Sequence, residues 1–326
     1  MSTYTHATDI PFPYDFASAP EWFMKKARFA KRFFLNLAPI RYAMVAEDGG
    51  PVSNLEYGST SYLGETWQLC RATLQREFQH PMNSQLCLFS SADGSGMGQT
   101  RLEARAKAVS EALERWAFQE TSSGPDSMLY GYQHSMSTKG MAAFPGIFPG
   151  QARRSAIDEA FEYYSVDAWW GGTLKHWIIN RDDSTIVFID QPEYKGFIAI
   201  AIRHLDLDNY VASYGIGSGM TPEDAELKAQ LEACRSQTIL ERREATPERS
   251  RIRPVLETEQ NLLQFASASG FEMVKDRLAT QPWLPALKPK VIFDGPVKGA
   301  WNKYTHVWRY ALEPFPIKSQ QIKFVA

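Results

Sequence analysis

The chain has 326 residues, 44% of them hydrophobic, which is enough to bury a real core as one large domain or two ordinary ones. A net charge of −2 gives no global case for nucleic acid or a membrane surface, and no apolar run approaches bilayer-spanning length. The start, MSTYTHATDIPFPYDF, is not a secretory signal, and three widely spaced cysteines (Cys70, Cys87, Cys234) without a CxxC pair argue against zinc and disulfides and for a reducing cytoplasm.

In chain order, residues 20–37 (PEWFMKKARFAKRFFLNL) predict an amphipathic helix, with Trp22, Phe23, Phe29, Phe33 and Phe34 opposite Lys25, Lys26, Arg28, Lys31 and Arg32. Helices are predicted over 101–120, 151–168 and 222–245. Strands are predicted at 174–180 and 185–190, joined by the polar Arg181–Ser184 turn, and at 197–203, 209–213, 290–294 and 304–312. Several strands follow one another directly. That predicts an α+β fold with a largely antiparallel sheet.

One spacing occurs three times: Gly, six residues to Ala, four to Ala, three to Glu. The copies are Gly98, Ala104, Ala108, Glu111; Gly146, Ala152, Ala156, Glu159; and Gly219, Ala225, Ala229, Glu232. The first and third open on alternating glycines (Gly94, Gly96, Gly98; Gly215, Gly217, Gly219) and continue to Thr100 and Thr221, good helix N-caps, with Pro222 at a natural first position. The glycines read as a tight turn that comes close to a ligand. The two alanines and the glutamate share one helix face, so the helix lies close to its neighbour and the glutamate points between them. The first two copies add a second glutamate three residues on, giving Glu111 with Glu114 and Glu159 with Glu162. Carboxylates converging from a buried alanine face need cations, and Mg²⁺ held together with nucleotide phosphates is the natural solution. GSGMGQT is not a Walker loop, because it lacks the lysine, and it has no dinucleotide-fold context.

These segments resemble the YcaO superfamily over roughly residues 38–320. GSGMGQTRLEARAKAVSEALERWAF is similar to the family's glycine loop and EALER helix, STKGMAAFPGIFPGQARRSAIDEAFEYYSVDAWW to its second helix, and GIGSGMTPEDAELKAQLEACRSQ to its third. PIRYAMVAEDGGPVSN is similar to an entry strand, and EPFPIKSQQIKFVA partly resembles the proline-containing tail of the azoline-forming members. The resemblance divides the chain into an N-terminal extension with the basic helix (1–37) and a YcaO-like ATP-binding domain (38–326). It implies a mainly antiparallel α+β fold in which three glycine-led helices converge on a site for ATP and Mg²⁺. Carried over by position, Glu111, Glu114, Glu159 and Glu162 are the metal ligands, and Gly96, Gly98, Ser110, Arg115, Glu232 and Arg235 contact the nucleotide. No residue is assigned a catalytic role.

The implied reaction is ATP-dependent activation of peptide amide carbonyls, giving thiazolines or oxazolines in a ribosomally made peptide. Thioamide or amidine formation, or a scaffold without turnover, are the alternatives. Implied partners are the precursor peptide, a leader-peptide-binding protein and a flavin dehydrogenase, with homo-oligomerisation possible. The sequence departs from the family at Met97, where a lysine is usual, at Tyr163, where an arginine is usual, at Gln151, and in the exchange of Arg235 and Gln237. Arg153, Arg154, Arg235 or Arg242 are the candidates to replace the missing cation.

Overall fold

A computed structural model describes residues 50–79, 86–89, 92–125, 127–133, 138–145, 149–246 and 251–316, together with Tyr42, Val45, Glu248 and Phe324. The amphipathic helix expected at 20–37 and Gly146 of the second repeat lie outside the described residues.

Three antiparallel sheets and five α-helices make up the described fold, which is α+β as the sequence predicts. Strands β1 (Val52–Tyr62), β2 (Glu65–Leu74) and β3 (Gly94–Gly98) form the first sheet in that order. β1 and β2 are a hairpin that the sequence reading did not anticipate beyond its entry stretch. Its turn is Leu63–Gly64, with φ of 55° and 76°, and a leucine in the left-handed region lacks the Asn-Gly or Asp-Gly signature of such turns.

The second sheet runs β4 (Met141–Phe144), β10 (His306–Leu312), β9 (Val291–Val297). Helix α1 (Arg101–Ser122) lies against β2, β3 and β4. Around it, Val52, Cys70, Leu74, Val109, Leu113, Trp116, Met141, Trp301 and Val307 close one core.

The third sheet is β5 (His176–Asn180), β6 (Ser184–Ile189), β7 (Phe197–His204), β8 (Ala212–Gly219), each pairing with the next. Its strands β6 to β8 are buried on both faces, which explains the unbroken apolar run of β7. Successive side chains point to opposite faces. Ala199 and Ala201 therefore face helix α3 (Pro222–Glu244), while Ile198, Ile200 and Ile202 face the larger core around helix α2 (Gly150–Trp170). Each of those isoleucines is at most 1% exposed, a burial that stabilises by roughly 1.5–3 kcal/mol per side chain. Trp169, Trp170, Tyr214, Phe265 and Phe324 fill the same core with stacked and edge-on rings.

Helices α4 (Glu257–Ala266) and α5 (Ala268–Ala279) complete this core and were also unanticipated. Ser267 alone separates them, and its hydroxyl caps α5 by accepting from the Gly270 N–H.

The alternating glycines lie in strands, not in a turn. β3 and β8 carry them, and on each strand the glycines face the backbone of the following helix. A Cβ on Gly94 or Gly96 would sit 2.0 Å from the carbonyl oxygen of Ala108 or Ala104, and one on Gly215 would sit 2.2 Å from that of Ala229. Strand and helix therefore touch main chain to main chain, with alanine opposite glycine. Thr100 and Thr221 then cap α1 and α3 with nearly equal backbone angles, accepting from Glu103 N and Asp224 N. The two units β2–β3–α1 and β7–β8–α3 are thus built alike. The second copy departs from them: α2 starts at Gly150 behind Pro149 and lies on β10 and β4. The three cysteines are free, and no helix among the described residues is long and apolar enough to cross a membrane.

Candidate functional site

The glutamate-bearing faces of α1, α2 and α3 point toward one another. Tyr163, on α2, registers this convergence: burial raises its phenol pKa, and Glu159, Glu162, Glu232 and Glu111 raise it further. Carboxylates from three helices thus act on one side chain. Arg235, on α3, is likewise influenced by Glu232 and then by Glu111 of α1.

Each carboxylate has its own surroundings. Glu111 accepts from the Ser95 backbone N–H at 2.7 Å and the Ser95 hydroxyl at 3.2 Å, and Arg115 pairs with it at 2.6 Å. Arg115 also reaches Ala92 O. Glu232 pairs with Arg235 at 2.8 Å, and Arg235 donates to Ser95 Oγ at 3.2 Å, tying α3 to β3. Glu162, 5% exposed, accepts from Ser218 Oγ and from Lys228 Nζ, both at 2.7 Å. Glu114 and Glu159 differ from these three. Among the described residues neither makes an ion pair, and each accepts a backbone N–H, from Ala143 and Gly140 respectively.

Burial, followed by the charges of Glu159 and Glu111, holds the Glu114 carboxyl well above the usual carboxylate range. Burial and then Glu162 push Glu159 up to about 8. The sign for stability follows from linkage. Between its ordinary value of 4.5 and about 8, Glu159 keeps its proton in the folded chain and loses it in the unfolded one. The folded state then binds more protons, so stability falls as pH rises through that window. Thermal unfolding in excess chelator is expected to show a midpoint that drops between about pH 4.5 and 8. A flat or rising profile would refute the raised carboxyl.

Of the residues named from sequence, Glu111, Glu114, Glu159, Glu162, Arg115, Glu232 and Arg235 come together. Ser110 does not join them. Its hydroxyl is 2.7 Å from that of buried Tyr42, which also reaches Thr305, so it is used in the core beneath α1. Gly96 and Gly98 sit in β3 against α1, and their lack of a side chain serves strand–helix contact. Among the candidate replacement cations, Arg153 is committed to Asp294, Arg154 to Asp158 and the Met220 sulfur, and Arg242 is exposed; Arg235 alone of the four stands in the cluster. Met97 accepts Lys107 Nζ on its backbone oxygen, and Tyr163 carries Lys139 over its ring at 4.1 Å.

Lys228, Ser95 and Ser218 were not legible as site residues. The one sequence signal for Lys228 is that it occupies the same place in the third repeat, just before the second alanine, as Lys107 does in the first. Among the described residues, no three His, Cys, Asp or Glu side chains already stand around one metal position.

No protein-family model matches the chain, and no curated protein matches it. Two solved structures do: the E. coli microcin synthetase McbBCD complex with pro-MccB17 bound (TM-score 0.47) and the E. coli microcin synthetase McbBCD complex (TM-score 0.49). Each is 10% identical and covers 79% of this chain and 86% of the matched one. At that identity and with TM-scores under 0.5, the likeness decides nothing about activity.

Proposed function

We propose that this protein binds ATP with Mg²⁺ at the cluster of Glu111, Glu114, Glu159, Glu162 and Glu232, and uses it to activate peptide amide carbonyls, as the YcaO proteins it resembles in sequence do. The observation that carries the reading is the pair Glu114 and Glu159, two half-buried carboxyls on facing helices, each with a backbone N–H and no ion-pair partner among the described residues. Such a pair is costly unless a cation comes between the two. The donor set is all oxygen and suits a hard ion. Mg²⁺ is usually held by one or two carboxylates with water and substrate phosphates, so a ready-made cage of three ligands is not required. Arg115 and Arg235, one on α1 and one on α3 and each paired with a cluster glutamate, are the cations that would meet phosphate charge.

ATP supplies a phosphoryl group that converts an amide oxygen into a leaving group. The protein's share is positioning and charge neutralisation. In the proposed role the product is an azoline in a ribosomally made peptide, with the precursor peptide and a leader-binding partner protein present and a flavin dehydrogenase acting afterwards. Met97 and Tyr163 favour a second reading, a scaffold that binds peptide or partner without turnover.

Calorimetry with ATP separates the two readings. The enzyme reading expects binding that requires Mg²⁺ and weakens at least about tenfold in Glu111→Ala. No nucleotide binding by the folded protein would remove it. With peptide and partner, Mg²⁺-dependent phosphate release with a loss of about 18 Da per site would identify azoline formation, and a gain of about 16 Da would identify thioamidation.

A further inference from the structure

Five carboxylates reach the cluster, and three of them carry a side-chain cation. Two of those pairs, Glu111–Arg115 and Glu232–Arg235, join neighbours on one helix and need no tertiary explanation. The third is different. Lys228 lies on α3 and Glu162 on α2, 66 positions apart, and Glu162 is a buried acid. The ammonium stands 2.7 Å from Glu162 Oε2 and 3.5 Å from Ser218 Oγ, and it also feels Glu159 and Glu232. It is placed between helices, where a cation shared by carboxylates would stand.

The like-built first unit shows that the repeat does not force this placement. Lys107, in the same repeat position, pairs instead with Glu103 of its own helix at 2.9 Å and donates to Met97 O. The residue before the last glycine differs between the units: it is Met97 on β3 and Ser218 on β8. The Ser218 hydroxyl gives Glu162 a second hydrogen bond beside the ammonium.

We propose that Lys228 takes the place of one divalent cation, so that the site accepts a single metal ion per chain, at Glu114 and Glu159. The proposal rests on the nucleotide–Mg²⁺ reading above and deepens it. With Glu111, Glu162 and Glu232 each held by a side-chain cation, Glu114 and Glu159 are the two carboxyls left to a divalent ion. The lysine also fixes Glu162 as a partner of α3 before any ligand arrives, and so holds α2 and α3 together.

The test counts metal. Mn²⁺, used as the probe, is titrated into the full chain with saturating non-hydrolysable ATP analogue, and bound ion is read by equilibrium dialysis and electron paramagnetic resonance. The expected result is one Mn²⁺ per chain in the wild type, and two, with a spin-coupled signal, in Lys228→Met. Lys228→Gln, which keeps a hydrogen bond to Glu162, carries the same expectation if the methionine variant does not fold. The pair Lys228→Met/Glu162→Gln is expected to return to one. Two ions in the wild type, or one in the Lys228 variants, overturns the proposal and leaves the nucleotide–metal reading standing. No bound ion in any folded form overturns both.

Discussion

Glu159→Gln is expected to do two opposite things. In excess chelator at pH 8 the variant should be more stable than the wild type, by at least about 1 kcal/mol, because the amide removes a carboxyl whose ionisation the fold opposes. The falling pH profile of the wild type should flatten in the same variant. With Mg²⁺ and ATP present the order should reverse: the wild type gains binding energy that the variant lacks, and ligand stabilisation grows with concentration over the dissociation constant. Glu114→Gln should behave alike, since burial and then the Glu159 charge hold the Glu114 carboxyl well above the usual carboxylate range. The measurement is thermal unfolding of the four combinations of protein and ligand. A Glu159→Gln protein that is less stable without metal would show that the carboxylate serves the fold, and the metal reading would lose its main support.

Gly96→Ala is expected to be severely destabilising. The added carbon would meet Ala104 O at 2.0 Å and Ala108 N at 2.6 Å, both main chain, so no rotamer can relieve the contact. Strand and helix must separate, at a cost of about 3 kcal/mol or more. Gly215→Ala faces the same obstacle in the second unit, at Ala229 O and Ala233 N. Gly58→Ala, on exposed β1 with nothing within 4 Å of the new carbon, is the control and should stay within about 0.5 kcal/mol. Urea midpoints decide the matter. A mild Gly96→Ala would mean that the glycines are not there for close approach.

The parts of this fold legible in the sequence are those that local spacing encodes. The Gly–Ala–Ala–Glu repeat was visible because a helix seated on a strand main chain to main chain needs small residues at i and i+4, and the glutamate falls on that same face. What the glycines do was less visible. Glycine is depleted from strands, so GSGMG and GIGSG read as turns, and only the contact with α1 and α3 explains their place in β3 and β8. The β1–β2 hairpin was hidden by its Leu63–Gly64 turn. Within the site, local sequence marks all five glutamates, but it carries no signal for partners far away in the chain. Lys228 meets Glu162 across 66 positions, and Ser110 is held by Tyr42 across 68, which takes it out of the cluster. Residue type made Arg153 and Arg154 look like spare cations, but Asp294 and Asp158 already use them.

The two strand–helix units share a frame but not a charge. Three residues beyond the repeat glutamate, the first unit has Glu114 and the second has Arg235. A frame with matching halves would, with matching side chains, greet a ligand identically from either direction. Here one flank offers a carboxyl that a cation can claim, and the other a guanidinium already paired with Glu232. In the proposed nucleotide site the two ends are therefore unlike, and an elongated anion bound there would meet different side chains at each end.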